Sequence, residues 1–290
     1  MFAVAGVTGR TGAVAADRLL AQGHAVRVIV RDAAKGAAWA ARGAEVAIAE
    51  LGDAERMTAA LAGSAGAYLL VPPALTSPDP ITDNTRIVEA LARAVRAAAV
   101  PHVVFLSSVG AQHASGTGPI RSVQIGEQAL AATGAATTFV RAAYFLENWH
   151  GSLGMVGQGV LPTFLPTGLA FPQVATRDIG ATAATALAEG PRGAQVIELS
   201  SGPTDYSSDD IAAVLTRLAG APVAAQHAPL DAVVPTFLSF GLTPAFAALY
   251  RELFEGVING RVTFEGGAAR RVRGPTLPAD VLGPALPRPA

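Results

Sequence analysis

The 290-residue chain contains no cysteine. This excludes disulfides, thiolate metal sites, iron–sulfur clusters and cysteine nucleophiles together, and it fits a reducing, cytoplasmic setting, which is the expected location. Charge is scarce as well: charged residues make up 15% of the chain against 51% hydrophobic ones, and the net charge is −1. Such a chain buries a large core and is not a disordered polymer. It has no long basic run, so nucleic acid finds no electrostatic footprint and is not an expected partner. No apolar run reaches the about 18 residues needed to cross a bilayer, so no membrane partner is expected. The start, Met1 to Gly6, lacks the basic segment and longer apolar stretch of a secretory signal and reads as a first strand. The five histidines, His24, His102, His113, His150 and His227, show no pair at helix-ligand spacing, so no metal is expected. Lysine is nearly absent, with Lys35 alone among 21 basic residues.

What is present is alternation. From residue 1 to about 142, short β-type apolar runs alternate with Ala- and Leu-rich helical stretches, the pattern of βαβ units in a parallel sheet. Strands are expected near 2–6, 25–30, 45–48, 67–71, 102–107 and 137–141, with helices over 11–22, 33–42, 54–62, 82–99 and 121–132. Asp32 and Asp53 stand as N-caps, and Gly23, Gly43 and Gly63 as stops. The fold class predicted is α/β, a Rossmann doubly wound parallel sheet, with residues 1–142 as its nucleotide-binding core. Beyond 142, Pro162, Pro166 and Pro172 loosen the pattern, a strand returns near 195–199, and helical segments follow at 207–219 and 229–256. Residues 143–290 are expected to form a smaller substrate-side region interwoven with the sheet. Pro275, Pro278, Pro284, Pro287 and Pro289 predict a frayed terminus.

The strongest motif is Gly6-Val7-Thr8-Gly9-Arg10-Thr11-Gly12, directly after a strand and opening a helix. Gly6 suits the tight turn, Gly9 lets backbone approach a pyrophosphate, and Gly12 lets the helix pack on the strand, while the helix N-terminus offers free N–H donors. A tight strand-to-helix turn with no ligand is the plain alternative. The second strand ends in Val30-Arg31-Asp32, where an NAD enzyme places an acidic residue for the ribose hydroxyls. Arg31 comes first, and with Arg10 it matches the bidentate demands of an adenosine 2′-phosphate, so NADP is preferred over NAD. The alternative keeps both arginines as solvated charges and gives Asp32 the ribose as well as the helix cap.

The glycine loop, Arg31-Asp32-Ala33-Ala34-Lys35, Val104-Phe105-Leu106-Ser107-Ser108, Arg141-Ala142-Ala143-Tyr144-Phe145-Leu146-Glu147-Asn148 and Ala175-Thr176-Arg177-Asp178 together resemble the NmrA-like branch of the atypical short-chain dehydrogenases, over nearly the whole chain. That branch includes NADPH quinone, azo-dye and triphenylmethane-dye reductases as well as redox-sensing regulators. The resemblance implies that Lys35 joins Gly6, Thr8, Gly9, Arg10, Thr11, Gly12 and Arg31 around NADP. It also implies that Glu50 and Leu51 border adenine, that Val71, Pro72 and Pro73 border the adenosine ribose, that Ser107, with Ser108 at the central sheet end, reaches the cofactor, and that Tyr144 and Phe145 lie at the nicotinamide. Asp178 also reads as a plain helix cap, and Pro72-Pro73 as a plain loop.

Ordinary short-chain dehydrogenases use a tyrosine and a lysine four residues later as their acid–base pair. This chain cannot: the residues four after Tyr68, Tyr144, Tyr206 and Tyr250 are Pro72, Asn148, Asp210 and Phe254. By the family's alignment around Glu127, the two positions fall near Pro119 and Val123. Carbonyl chemistry that needs a protein acid is therefore disfavoured, whereas quinones and azo dyes spread the charge left by hydride addition and take their proton from water. Tyr144, His113 and His150 are the pocket candidates, each histidine being either a proton donor or hydrogen-bonded structure. Phe145, Trp149, Phe164, Phe237, Phe240 and Phe246 line either an acceptor pocket or the core. The expected partner is a small aromatic acceptor, with a homodimer left open. A non-catalytic NADP-binding redox sensor acting through a protein partner is the rival reading, while an isomerase or lyase lacks an acid–base pair.

Overall fold

The computed structural model describes residues 1–286, so Pro287 and Pro289 lie outside the described residues. Its strands are β1 (Phe2–Ala5), β2 (Val26–Val30), β3 (Glu45–Ile48), β4 (Gly66–Leu69), β5 (His102–Ser108), β6 (Ala136–Ala142), β7 (Tyr144–Phe145), β8 (Val160–Thr163), β9 (Gln173–Val174), β10 (Gln195–Ser201), β11 (Ala224–His227) and β12 (Arg270–Gly274). Eight of them form one parallel sheet in the order β3-β2-β1-β4-β5-β6-β10-β12. The pairs β7–β9 and β8–β11 stand apart. The order reverses between β1 and β4, and in such sheets the crevice beyond the carboxyl ends at the reversal takes the ligand.

The helices are α1 (Arg10–Ala21), α2 (Ala37–Ala40), α3 (Ala54–Leu61), α4 (Pro80–Ala97), α5 (Arg121–Ala131), α6 (Thr176–Glu189), α7 (Ser208–Ala219), α8 (Val233–Ser239), α9 (Pro244–Ile258) and α10 (Pro278–Leu282). Strand residues alternate between two apolar layers, as the period of two requires. Val4, Val28, Tyr68, Val104 and Val140 meet α1 and α6 through Ala15, Leu19, Ile179 and Ala183. Ala3, Ile29, Leu69, Phe105 and Phe139 meet α3, α4 and α5 through Met57, Leu91 and Leu130. A third core, with Leu146, Trp149, Leu161, Phe171, Leu215 and Phe254, lies in the C-terminal half.

The expected caps form: the Asp32 and Asp53 carboxylates accept from the Lys35 and Arg56 backbone N–H at 3.2 and 3.0 Å. Three expectations change. The helical stretch 229–256 is broken into a turn at Leu230–Ala232, α8 and α9, because Gly241 takes a φ of +79° and Thr243 caps a new helix at Pro244. The C-terminal segment is not frayed through residue 286: Pro278 is buried at the start of α10, and Leu282 is fully buried. β12 was missed because Arg270-Arg271-Val272-Arg273 carries charge where a sheet strand usually carries β-branched residues; it is an edge strand whose arginines reach solvent.

A row of polar groups crosses four strands at one level, Ser107, Arg141, Glu198 and Arg271 being mutual register partners. Arg141 holds Glu127 of α5 in a bidentate pair at 2.9 and 2.7 Å, and Ser107 Oγ donates to the same carboxylate at 2.5 Å. Its remaining nitrogen reaches Glu265 at 2.5 Å, and the buried Glu198 accepts from Arg271 and the Gly266 N–H. Burial alone would push the Arg141 guanidinium down, but Glu127 and Glu265 override it and hold the charge firmly.

Two stability outcomes are expected. Arg141→Met leaves Glu127 charged and buried without a partner, so urea denaturation should show a loss of about 3–5 kcal/mol. The His102 side chain is buried, with Nε2 3.0 Å from Thr138 Oγ1 and no partner for Nδ1, and burial pushes its pKa below the ordinary 6.5. The unfolded chain therefore takes up the proton first, so this contribution is complete above pH 6.5 and is lost as pH falls below it. His102→Gln should flatten the fall in urea midpoint on acidification from pH 7 to 5.

Candidate functional site

The glycine loop sits at the carboxyl end of β1, beside the reversal of strand order. Its three glycines meet three different demands. Gly6 has a φ of +69°, which L side chains rarely adopt, and its carbonyl accepts the Gly9 N–H at 2.9 Å. A β-carbon on Gly12 would lie 2.5 Å from the Gly6 carbonyl oxygen, so only glycine lets α1 pack this close to β1. Gly9 is less constrained: its φ is −102°, and an added β-carbon would meet one atom alone, the Gly6 carbonyl oxygen, at a close 3.3 Å. No side chain caps the N-terminus of α1, so its first N–H groups point out of the loop uncapped. Beneath it, the buried Tyr68 donates to Thr11 Oγ1 at 2.9 Å, which anchors the first turn of α1 to β4.

Around this loop, Thr8, Gly9 and Arg10 are exposed, and Thr11 and Gly12 are buried. Arg31 is exposed at the carboxyl end of β2, and neither it nor Arg10 is in an ion pair among the described residues. Asp32 is engaged by its own turn, with Lys35 Nζ 3.9 Å from its second oxygen. Glu50 is exposed and Leu51 half-buried beyond β3; Val71 is half-buried and Pro72 exposed beyond β4.

The opposite wall comes from the C-terminal half. Tyr144 stacks edge-on with Trp149 and Phe171, centroids 6.4 and 5.5 Å apart, and Phe145 packs half-buried against the core shared with α1 and α6. Burial pushes the Tyr144 phenol up, Tyr250 pushes it further, and Asn148 works the other way. A second aromatic group joins Phe164, Phe237, Phe246, Tyr250 and Phe254 at centroid distances of 5.0–6.5 Å. Of the expected pocket aromatics, Trp149 and Phe246 are buried core, while Phe240 is 70% exposed and lines nothing. Thr243, between α8 and α9, ties this wall to the loop after β4: its hydroxyl donates to the Ser77 carbonyl at 2.7 Å, and its N–H to Leu75 at 3.3 Å.

Other expected groups are directed elsewhere. The Ser107 hydroxyl is buried and bound to Glu127, which commits it to the sheet rather than to a ligand. His150 turns toward α10, its Nε2 3.4 Å from the Val281 carbonyl, so it does not join the Tyr144 cluster. His113 is half-buried in the loop after β5, with no side-chain hydrogen bond among the described residues. Asp178 is no cap for its own helix. It accepts from Ser201 Oγ at 2.5 Å and Thr276 Oγ1 at 2.7 Å, joining the ends of β10 and β12. The cap of α6 is Glu147, which accepts from the Thr176 N–H at 2.9 Å and from the Thr176 hydroxyl. Sequence reasoning missed Tyr68, Glu147 in this role and Tyr250, since each works through partners distant in the chain. A surface recess of about 590 Å³, lined by Gln195, Val196, Glu265 and Arg270 among others, lies at the amino ends of β10 and β12, far from the glycine loop. It belongs to the wrong edge of the sheet for the crevice chemistry. Among the described residues no group of side chains is placed to hold a metal, and no helix is long and apolar enough to cross a membrane.

The parallel sheet, its glycine loop and the helices on both faces define a Rossmann-type protein. Within that class the chain belongs to the NmrA-like family, whose model matches residues 1–257. It is 28% identical over 264 residues to the NAD(P)H azoreductase of Xenophilus azovorans, covering 88% of this chain and 86% of that one. It is 27% identical over 277 residues to quinone oxidoreductase 2 of Escherichia coli, covering 90% and 89%. Among solved structures, the triphenylmethane reductase of Citrobacter sp. complexed with NADP(H) superposes with a TM-score of 0.80 at 21% identity, over 92% of this chain and 93% of that one.

The glycines separate fold from ligand. Gly12→Val should lower the melting temperature sharply or abolish folding, whereas Gly9→Val should melt within about 3 °C of the wild type. Circular dichroism melts of the two variants check this directly.

Proposed function

We propose that this chain is an NADPH-dependent reductase of conjugated aromatic acceptors such as quinones and azo dyes. The observation that carries the reading is Gly9, whose φ of −102° any residue can adopt and whose added β-carbon would meet a single protein atom, the Gly6 carbonyl oxygen at 3.3 Å, at the N-cap of a helix no side chain caps. A β-carbon there would fill space that a pyrophosphate needs, so the residues fit a dinucleotide. Arg31 and Arg10, both free of ion pairs among the described residues, suit a 2′-phosphate, while Asp32 is occupied by its own turn. The relatives named an NAD(P)H azoreductase and a quinone oxidoreductase support the same class.

Bound NADPH supplies a hydride. The chain's own residues then have two tasks. The first is holding: the α1 N-terminus and Arg31 fix one end of the dinucleotide, and Tyr144 and Phe145 of β7, just beyond β6, border its reactive end. The second is orientation, for which the half-buried rings of Phe164, Phe237 and Tyr250 offer flat surfaces to a planar acceptor. Neither Pro119 nor Val123 can move a proton, so the acceptor's delocalisation carries the charge until water protonates it. This aromatic wall favours turnover over a purely sensing role.

Titration by nicotinamide fluorescence should show NADPH binding at least tenfold tighter than NADH, with Arg31→Ala removing most of the difference and Gly9→Val abolishing binding of both. Equal affinities in the wild type would refute the 2′-phosphate assignment. With a panel of quinones and azo dyes, His113→Ala and His150→Ala should each keep kcat within about tenfold, against the ~10²–10⁴-fold loss that follows deletion of a general acid. NADPH oxidation with none of the panel would move the reading to the sensor.

A further inference from the structure

Tyr250 is a polar group in an otherwise apolar wall. It lies in α9, ring centroids 5.0 Å from Phe237 and from Phe246, and 6.1 Å from Phe254, so its ring is held on several sides. The residue is half-buried, and its hydroxyl makes no hydrogen bond among the described residues. Tyr250 and Tyr144 of β7 both pack half-buried on the core of the C-terminal half, and the Tyr250 phenol raises the Tyr144 pKa electrostatically. α9 also packs on the turn Gly118–Ile120, where a β-carbon on Gly118 would run into the Leu249 carbonyl, and its cap residue Thr243 is tied to the loop after β4. Tyr250 is therefore braced from both sides of the crevice. A rigidly held donor with nothing to donate to is suited to a ligand.

We propose that the Tyr250 hydroxyl is a hydrogen-bond donor to the reacting heteroatom of the acceptor, and that it sets a preference for acceptors bearing a carbonyl oxygen or azo nitrogen over those reduced at carbon alone. This rests on the reductase reading above. In a quinone, hydride addition drives an electron pair onto oxygen; in an azo dye, hydride joins one nitrogen and the N=N pair moves to the other. In both, the atom gaining the pair accepts the Tyr250 O–H hydrogen bond, water supplies the final proton, and the nicotinamide leaves oxidised. A triarylmethyl cation takes hydride at its central carbon, needs no proton and develops no negative charge. Burial pushes the Tyr250 phenol up, so it remains a donor throughout neutral pH.

The test compares Tyr250→Phe with wild type on a simple quinone, an azo dye and a cationic triarylmethyl dye, following NADPH oxidation. The ring packing is kept and only the hydroxyl is lost. Expected is a fall in kcat/KM of about tenfold or more for the quinone and the azo dye, with the triarylmethyl dye within about twofold and NADPH affinity unchanged. An equal fall for all three acceptors, as loosened packing would give, overturns the assignment, and so does no change in any. Absence of turnover by the wild type with all three would instead overturn the reductase reading, and this assignment with it. Should Tyr250→Phe be poorly folded, the ratio between acceptors within one preparation still decides, and Tyr250→Leu provides the packing control by lowering all three together.

Discussion

One guanidinium joins the two halves of this molecule. Arg141 stands on β6, the last strand of the regular βαβ series, and its three nitrogens are taken by Glu127 of α5 and by Glu265 in the segment leading to β12. Glu127 in turn binds Ser107 at the end of β5. Sequence separations of 14, 20 and 124 residues are thus closed at one point. An arginine suits this because its planar fork satisfies two carboxylates at once and stays charged when buried. The desolvation cost of such a cluster is large, and its net stabilisation is modest. Its evident effect is on arrangement: α5 cannot slide along β5 and β6, and the late segment must return to the sheet edge where β12 forms. The crevice inherits its rigidity from this row, because Tyr144 follows Arg141 by three residues.

The crevice itself is assembled from parts with unequal constraints. On the β1 side every group is set by backbone: a left-handed glycine, a close-packed glycine and a hydroxyl of Thr11 pinned by Tyr68. Nothing there needs to move to receive a phosphate, so little ordering cost attends binding. On the opposite side the walls are aromatic rings and short helices that meet the sheet through a few hydrogen bonds, notably Thr243 to Ser77. The loop after β4 belongs to both, running from Val71-Pro72 toward Ser77. The glycine-loop side and the α9 side thus share one mechanical element.

The sheet was legible because burial on both faces leaves continuous apolar runs, and because Asp32, Asp53, Gly23, Gly43 and Gly63 punctuate the helices in the expected places. The glycine loop was legible for the same local reason, all its determinants lying within seven residues. What escaped was non-local. β12 is recognisable as a strand only once β10 offers it a partner. Glu147 caps a helix that begins 29 residues later, and nothing in its neighbourhood signals that. The Ser107 hydroxyl was expected at the ligand but faces Glu127, and His150 was expected near Tyr144 but faces α10. In each of these cases side-chain direction depends on tertiary partners that periodicity does not encode.

Helix α5 is given over to packing and registry. Pro119 lies in the turn that leads into the helix, and Val123 in its first turn. Val123 packs against both the core under α5 and the core of the C-terminal half, so it works as a hydrophobic bridge between them. A lysine there would bring an ammonium into this apolar seam, at a cost of several kcal/mol unless a carboxylate were supplied. The nearest candidate, Glu127, one turn further on, is already consumed by Arg141 and Ser107. The same helix thus uses Glu127 for registry and Val123 for packing. Helix α5 is therefore fixed on both faces, by an ion pair toward β6 and by an apolar bridge toward the C-terminal half.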